Sequence, residues 1–248
     1  MDSKTEERIK EILERCVSNI LKKQKKSHEF KPFHEALLTK ELLVASAIER
    51  SFSSSLGQKA IEEVSLILAE ENGDVVERQK QTWVSITPSA ISEIERICAS
   101  LRSGGSKPNW KQEIERIAAC SGGVREPRRI ITDLWIKRDQ KEHFLSLKTV
   151  KPNLGQCIEA KNIMLYLKAH DRTYNAYLAL YYNPYGTQKT DYKWSILSKA
   201  FDVYKDDCIL IGQEYWDFVG GKGSYQKILE CFEEVGVKTK KLLYLQGH

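Results

Sequence analysis

Asp133, Ser146 and Lys148 are the residues whose types and spacing point most directly to chemistry. Ser146 and Lys148 stand two apart, so on a β-strand they share a face while Leu145 and Leu147 turn the other way. Asp133 follows the apolar pair Ile130 and Ile131 on a neighbouring β-rich stretch. A lysine pointing out of an apolar strand opposite an aspartate is a costly choice for core packing. It suits phosphodiester hydrolysis, which needs a hard cation to stabilise developing charge and an activated water. Carboxylates bind Mg²⁺, and a nearby lysine orients or deprotonates the water.

The elements that must position these groups follow from periodicity and breakers. RIITDLWIK (129–137) and HFLSLKTV (143–150) are β-rich and flank the polar turn RDQKE, which predicts a hairpin. Pro152 ends the second strand, and Asn153 can cap a helix from Leu154 to about Lys168. TYNAYLALYYN (173–183) reads as a strand stopped by Pro184 and Gly186. WSILSKAF reads as a short helix, CILIG (208–212) as a strand, and SYQKILECFEEVG (224–236) as a closing helix with Gly236 as its C-cap.

Upstream, Ile9, Ile12, Leu13, Cys16, Val17, Ile20 and Leu21 recur at helical spacing over residues 6–21. The basic run Lys22, Lys23, Lys25 and Lys26 after them reads as a solvated helix end. A second helix starts near Phe33 and runs to about Ser51, SFSSSLG interrupts it, and a third begins near Gly57. TWVSI (82–86) suggests a short strand and residues 88–101 a further helix. SGGSKPN (103–109) and CSGGVREP (120–127) read as loops. The predicted class is α/β, or α+β by stricter naming, with a mixed central sheet flanked by helices. A single domain over 1–248 is expected, with 1–125 mainly helical and 126–248 the sheet-containing catalytic core.

Bulk properties narrow the function classes. A chain of 248 residues, 41% hydrophobic and 29% charged, can bury a core and is not a disordered segment. Its 39 basic and 34 acidic residues leave a charge of +5, compatible with nucleic-acid binding without demanding it. No secretory h-region opens the sequence and no apolar run is long enough to span a bilayer, so cytoplasmic residence is expected. The six cysteines form no CxxC pair, and the five histidines form no HxxxH or HExxH pattern, which argues against a zinc site. Instead the cysteines read as free, mostly buried thiols. His28 and His34, beside Phe30 and Phe33, read as structural or capping groups.

The hairpin, the helix after it and the next strand resemble the PD-(D/E)XK nuclease superfamily, with its core of helix, three-strand meander, helix and strand. Asp133 takes the place of the first motif's aspartate and Ser146-Leu147-Lys148 that of the (D/E)XK triplet. Thr132 stands where the motif proline would be, and Ser146 replaces the second carboxylate. The resemblance implies a substitute acid. Glu159, in the second turn of the following helix, is the first candidate, and Glu142 at the turn end of the strand is the second. Glu49, on an upstream helix, would assist the metal. PFHEALL (32–38), AIERSFSSSLGQ (47–58) and GQEYWDFVGGKGSY (212–225) resemble the TdeIII-type family of type II restriction endonucleases. Within them, -EYWDFVGG- looks like a late strand-to-loop segment, with Tyr215, Trp216 and Phe218 packing in the core.

That resemblance implies Mg²⁺-dependent cleavage of double-stranded DNA at a short palindrome, for this family GGNCC, by a homodimer. A DNA methyltransferase acting on the same site would be its functional partner. Guanines in the major groove are best read by Arg or Lys donors. Arg125, Arg128 and Arg129 precede the hairpin, and Lys189 and Lys193 follow the Pro184 turn. Two other readings compete: a nuclease of the same superfamily without strict sequence specificity, and a non-catalytic DNA-binding module that has lost its acid at position 146.

Overall fold

The computed structural model describes residues 1–24 and 30–246. Its elements, in order, are α1 (Ser3–Gln24), α2 (Pro32–Leu37), α3 (Lys40–Ser55), a π-helical turn (Leu56–Ala60), α4 (Ile61–Glu71), β1 (Val75–Ile86), α5 (Pro88–Ser103) and α6 (Trp110–Ala118). There follow β2 (Glu126–Arg138), β3 (Lys141–Lys148), α7 (Leu154–His170), β4 (Asn175–Leu180), β5 (Ile209–Ile211), α8 (Gln213–Gly220) and α9 (Ser224–Gln246). They divide into two compact units, Met1–Leu68 with Gly223–His248, and Ala69–Lys222. Thus β1, α5 and α6 pack in the unit that carries the sheet.

The first unit is helical. Ile9, Ile12, Leu13, Ile20 and Leu21 of α1 are buried, as their spacing predicts. Ion pairs tie α1 to α9, Lys10 to Glu234 at 2.5 Å and Lys238 to Glu14 at 2.6 Å. Three expectations need correcting here. The helix from Phe33 breaks at Leu38, and Thr39 caps a new one by accepting from the Leu42 N–H. Gly236 ends nothing. Helix α9 runs through it because Ile228, Cys231, Val235 and Thr239 keep one face buried, which outweighs glycine's cost of about 1 kcal/mol in a helix. The Ser-rich stretch after Ser51 stays helical and passes through the π turn directly into α4. His28, Lys25 and Lys26 lie outside the described residues.

The second unit is built on one mixed sheet of order β1-β2-β3-β4-β5, antiparallel from β1 to β3 and parallel from β3 to β5. The β2–β3 turn is two residues long, with Asp139 and Gln140 at φ +48° and +61°, the left-handed pair that suits the twist of a tight hairpin. Helix α7 makes the crossover that a parallel β3–β4 pair requires. Asn153 caps it as predicted, and Gln156 closes the capping box. On one face of the sheet, Val84, Ile86, Ile130, Phe144, Leu178 and Ile209 pack against apolar residues of α5, α6 and α7. The α/β class with a mixed sheet flanked by helices is the one expected.

Four elements differ from expectation. β1 is a 12-residue strand and not the five residues of TWVSI, because charged Glu77, Arg78 and Lys80 pair along β2 at the sheet edge. Between the two loops, Asn109 caps α6, whose Trp110, Glu113 and Ile117 are buried. WSILSKAF contracts to a single 3₁₀ turn at Leu197–Lys199. The -EYWDFVGG- stretch is helix α8 and not a strand-to-loop segment: Tyr215 and Trp216 are buried on one side of a helical turn, and the Trp216 indole donates to the Tyr181 carbonyl.

Candidate active site

Asp133 lies where the sheet opens. The β2–β3 ladder begins at Arg138–Lys141 and ends at Leu134–Leu145, one pair short of Asp133. Beyond that point the Leu147 N–H has lost its antiparallel partner, and Asp133 Oδ2 accepts it at 2.7 Å. On the other side the β1–β2 pairing passes from Arg78–Leu134 to Lys80–Thr132, and Gln79 Nε2 donates to Asp133 Oδ1 at 3.3 Å. The carboxylate is therefore held from both neighbouring strands. Two accepted bonds leave it lone pairs to spare.

Lys148 ends β3, and its ammonium lies 3.5 Å from Glu159 Oε2. The capping box sets the first turn of α7, and Glu159 rises from the next one. The Lys148 side chain is 16% exposed and that of Glu159 is 62% exposed, so the pair opens to solvent on the carboxylate side. Burial pushes the Asp133 carboxyl above its ordinary value. Positive Lys148 and the Leu147 and Gln79 donors pull it back, and negative Glu159 pushes the same way as burial. The charges of Lys148 and Glu159 thus both reach Asp133. Ser146 is 2% exposed on β3 between Leu145 and Leu147.

Hard oxygen donors favour a hard cation, and Mg²⁺ is commonly held by one or two carboxylates, with water and phosphate oxygens completing its shell. Asp133 and Glu159 fit that requirement. Among the described residues no three His, Cys, Asp or Glu side chains cluster as a metal cage. Cys157, on α7 near Lys148, is fully buried, and burial pushes its thiol up to about 12, so it is a core group and not a nucleophile.

A model of the HinfI family, described as a type II restriction endonuclease, matches residues 1–236. The chain belongs to the HinfI family of type II restriction endonucleases. It is similar to the type II restriction enzyme HgiCII of Herpetosiphon aurantiacus, 28% identical over 87% of this chain and 82% of that one. HgiEI of the same organism is 29% identical over 92% of this chain and 86% of its own. MjaII of Methanocaldococcus jannaschii is 27% identical over 79% of this chain and 56% of its own. No solved structure matches the chain. The class implied by the sequence motifs is the class of the family; the family label is HinfI, and the match does not carry the TdeIII-type label.

The other expected residues of this HinfI-family chain fall into clear places. Glu142 accepts from the Trp135 indole at 2.9 Å, at the turn end of β3. Glu49 is exposed on α3 in the helical unit, where Ser53 donates to it at 2.7 Å. His34 is exposed on α2. Arg125 donates to the Ser85 carbonyl, and Arg128 lies over the Tyr166 ring at 5.3 Å. Arg129 and Lys193 are exposed, whereas Lys189 is occupied by the Ile209 carbonyl at 2.7 Å and by Glu214 at 3.4 Å. Four cysteines are buried, and all six are free thiols. No described helix is long and apolar enough to cross a membrane. Gln79 was not foreseeable from the motif: it lies in the charged half of β1, which carries no apolar alternation.

Proposed function

We propose that this endonuclease makes Mg²⁺-dependent double-strand cuts in DNA at a short palindrome, GGNCC, with Asp133, Glu159 and Lys148 as its catalytic groups. The observation that carries the proposal is the opening of the hairpin at Asp133, whose half-buried carboxylate is held from both neighbouring strands and feels the charges of the Lys148–Glu159 pair. Asp133 and Glu159 hold the cation, and Glu159 supplies the charge that Ser146 cannot. The cation, when bound, stabilises charge developing on the scissile phosphate. Lys148, as an ammonium, orients the attacking water and offsets the charge it develops. Burial around Asp133 strengthens each of these interactions. The PD-(D/E)XK arrangement is supported by the three-strand antiparallel run β1–β3 followed by α7 and a parallel β4, although α5 and α6 intervene between β1 and β2.

A palindrome is read most simply by a two-fold dimer in which each subunit cuts one strand. A homodimer acting in the cytoplasm, opposed by a methyltransferase that modifies the same site, follows from this reading. The test is digestion of unmethylated phage DNA with and without Mg²⁺, followed by end-mapping. Discrete bands that need Mg²⁺, with ends at GGNCC, are the expected result. Ends at another fixed sequence would remove the GGNCC assignment, and a smear would remove sequence specificity altogether.

A further inference from the structure

Gln79 combines three irregularities at one position. Its φ of +50° lies in the left-handed region, which a non-glycine residue rarely adopts inside a strand. It falls opposite Asp133 at the position missing from the β1–β2 pairing, which resumes in the same register from Arg78–Leu134 to Lys80–Thr132. The alternation of β2 slips across the same point. Ile130 and Trp135, five residues apart, both belong to the core cluster under α5 and α7, although strict alternation would put them on opposite faces. No extra residue is inserted on either strand, but a local break in pairing can re-aim a side chain as a bulge does. The side chain re-aimed here is Asp133, and the Gln79 amide donates to its Oδ1.

We infer that Gln79 is a positioning residue: its left-handed backbone interrupts the β1–β2 pairing opposite Asp133, and its amide fixes the rotation of that carboxylate for the cation. The inference rests on the proposed role of Asp133. A carboxylate is acceptor-only, so the contacting atom of Gln79 must be its nitrogen. With the Leu147 N–H on Oδ2 and Gln79 on Oδ1, both oxygens are oriented by groups that do not themselves ligate a metal. Removing such an orienting partner ordinarily costs more in metal affinity and turnover than in fold stability.

The two contributions of Gln79 separate by substitution. Gln79→Gly relieves the backbone and removes the amide; Gln79→Ala removes the amide and keeps the backbone unfavourable; Gln79→Asn keeps an amide, one methylene shorter, on a residue that tolerates positive φ. Thermal midpoints of the metal-free protein, Mg²⁺ binding by calorimetry without DNA, and kcat and KM on phage DNA are measured for each, with Asp133→Ala alongside. The glycine variant is expected to keep its midpoint at or above wild type, and the alanine variant to fall below it. Both lose about ten- to a hundredfold in kcat and in Mg²⁺ affinity with KM for DNA unchanged, and the asparagine variant retains more than either. Wild-type kcat and Mg²⁺ binding in Gln79→Gly, with Asp133→Ala inactive, would overturn the inference alone. Normal cleavage by Asp133→Ala would overturn it together with the reading of the site.

Discussion

Helix α7 contributes to two Lys–Glu pairs, Lys161 with Glu113 and Glu159 with Lys148, whose surroundings treat the charges in opposite ways. The first is sealed: its side chains are 0% and 5% exposed and its atoms 2.7 Å apart. Phe201 and Trp110 lie 4.2 and 5.0 Å from the Lys161 ammonium, and Glu113 also accepts from the Asn109 N–H that starts α6. Asp206 nearby accepts from the Trp110 N–H; its carboxyl is pushed up by burial and pulled back by Lys161. Every partner is internal, so this pair locks α6 to α7. The second pair is longer, at 3.5 Å, and its carboxylate is mostly in solvent. A charge that is to meet a cation or a phosphate must keep capacity for it. The difference between the pairs is the difference between a closed and an open valence.

The largest expected effects break the comparison by removing one member on each side. Lys148→Ala and Asp133→Ala should each lower cleavage by about a thousandfold or more, with a normal unfolding transition. Lys161→Met should instead cost about 3–5 kcal/mol of stability by stranding Glu113, while folded molecules still cut. The double variant Lys161→Met with Glu113→Leu should recover much of that loss, because no buried charge is left unpaired. Denaturant titration beside single-turnover cleavage reads both quantities. A Lys148→Ala variant that unfolds like Lys161→Met and still cuts would reverse the two roles.

A smaller effect sharpens the open side. Glu159→Ala should lower activity about ten- to a hundredfold across a Mg²⁺ titration. Glu142→Ala should leave most of it, because Glu142 is spent on the Trp135 indole at the far end of β3. Equal losses in both would show that the charge missing at Ser146 is not replaced from α7.

The hairpin and the Asn153 cap were legible because each leaves a local signal: β-rich runs around a polar turn, and an N-cap after a proline. The outer half of β1 was not legible, because an edge strand paired on one side needs no apolar alternation. Helix α8 looked like strand because Tyr215, Trp216 and Phe218 favour strands in isolation, and tertiary burial of Tyr215 and Trp216 overrides that preference. Gly236 looked like a stop because the apolar stripe that continues past it is sparse. That Asp133 accepts from the Leu147 N–H depends on where β3 leaves β2, and no residue type announces that point.

The smallest expected effect concerns the charge on Asp133 itself. Burial outweighs Lys148 and the two donors, so the folded, metal-free protein holds this carboxyl above its ordinary value of 3.8. At low pH the group is protonated in both states and adds no difference. As pH rises from the unfolded value through the raised folded value, the unfolded chain ionises first and stability is lost, reaching a plateau above the folded value. Asp133→Asn stays neutral and can still accept from the Leu147 N–H. It should therefore match wild type in thermal midpoint near pH 3, exceed it increasingly as pH rises, and exceed it by a constant amount near neutrality. A difference that does not vary with pH would assign the effect to packing instead of charge. Mg²⁺ should then reverse the order, raising the wild-type midpoint through binding to the folded state and leaving the asparagine variant unmoved. Equal stabilisation of both by Mg²⁺ would place the cation away from Asp133.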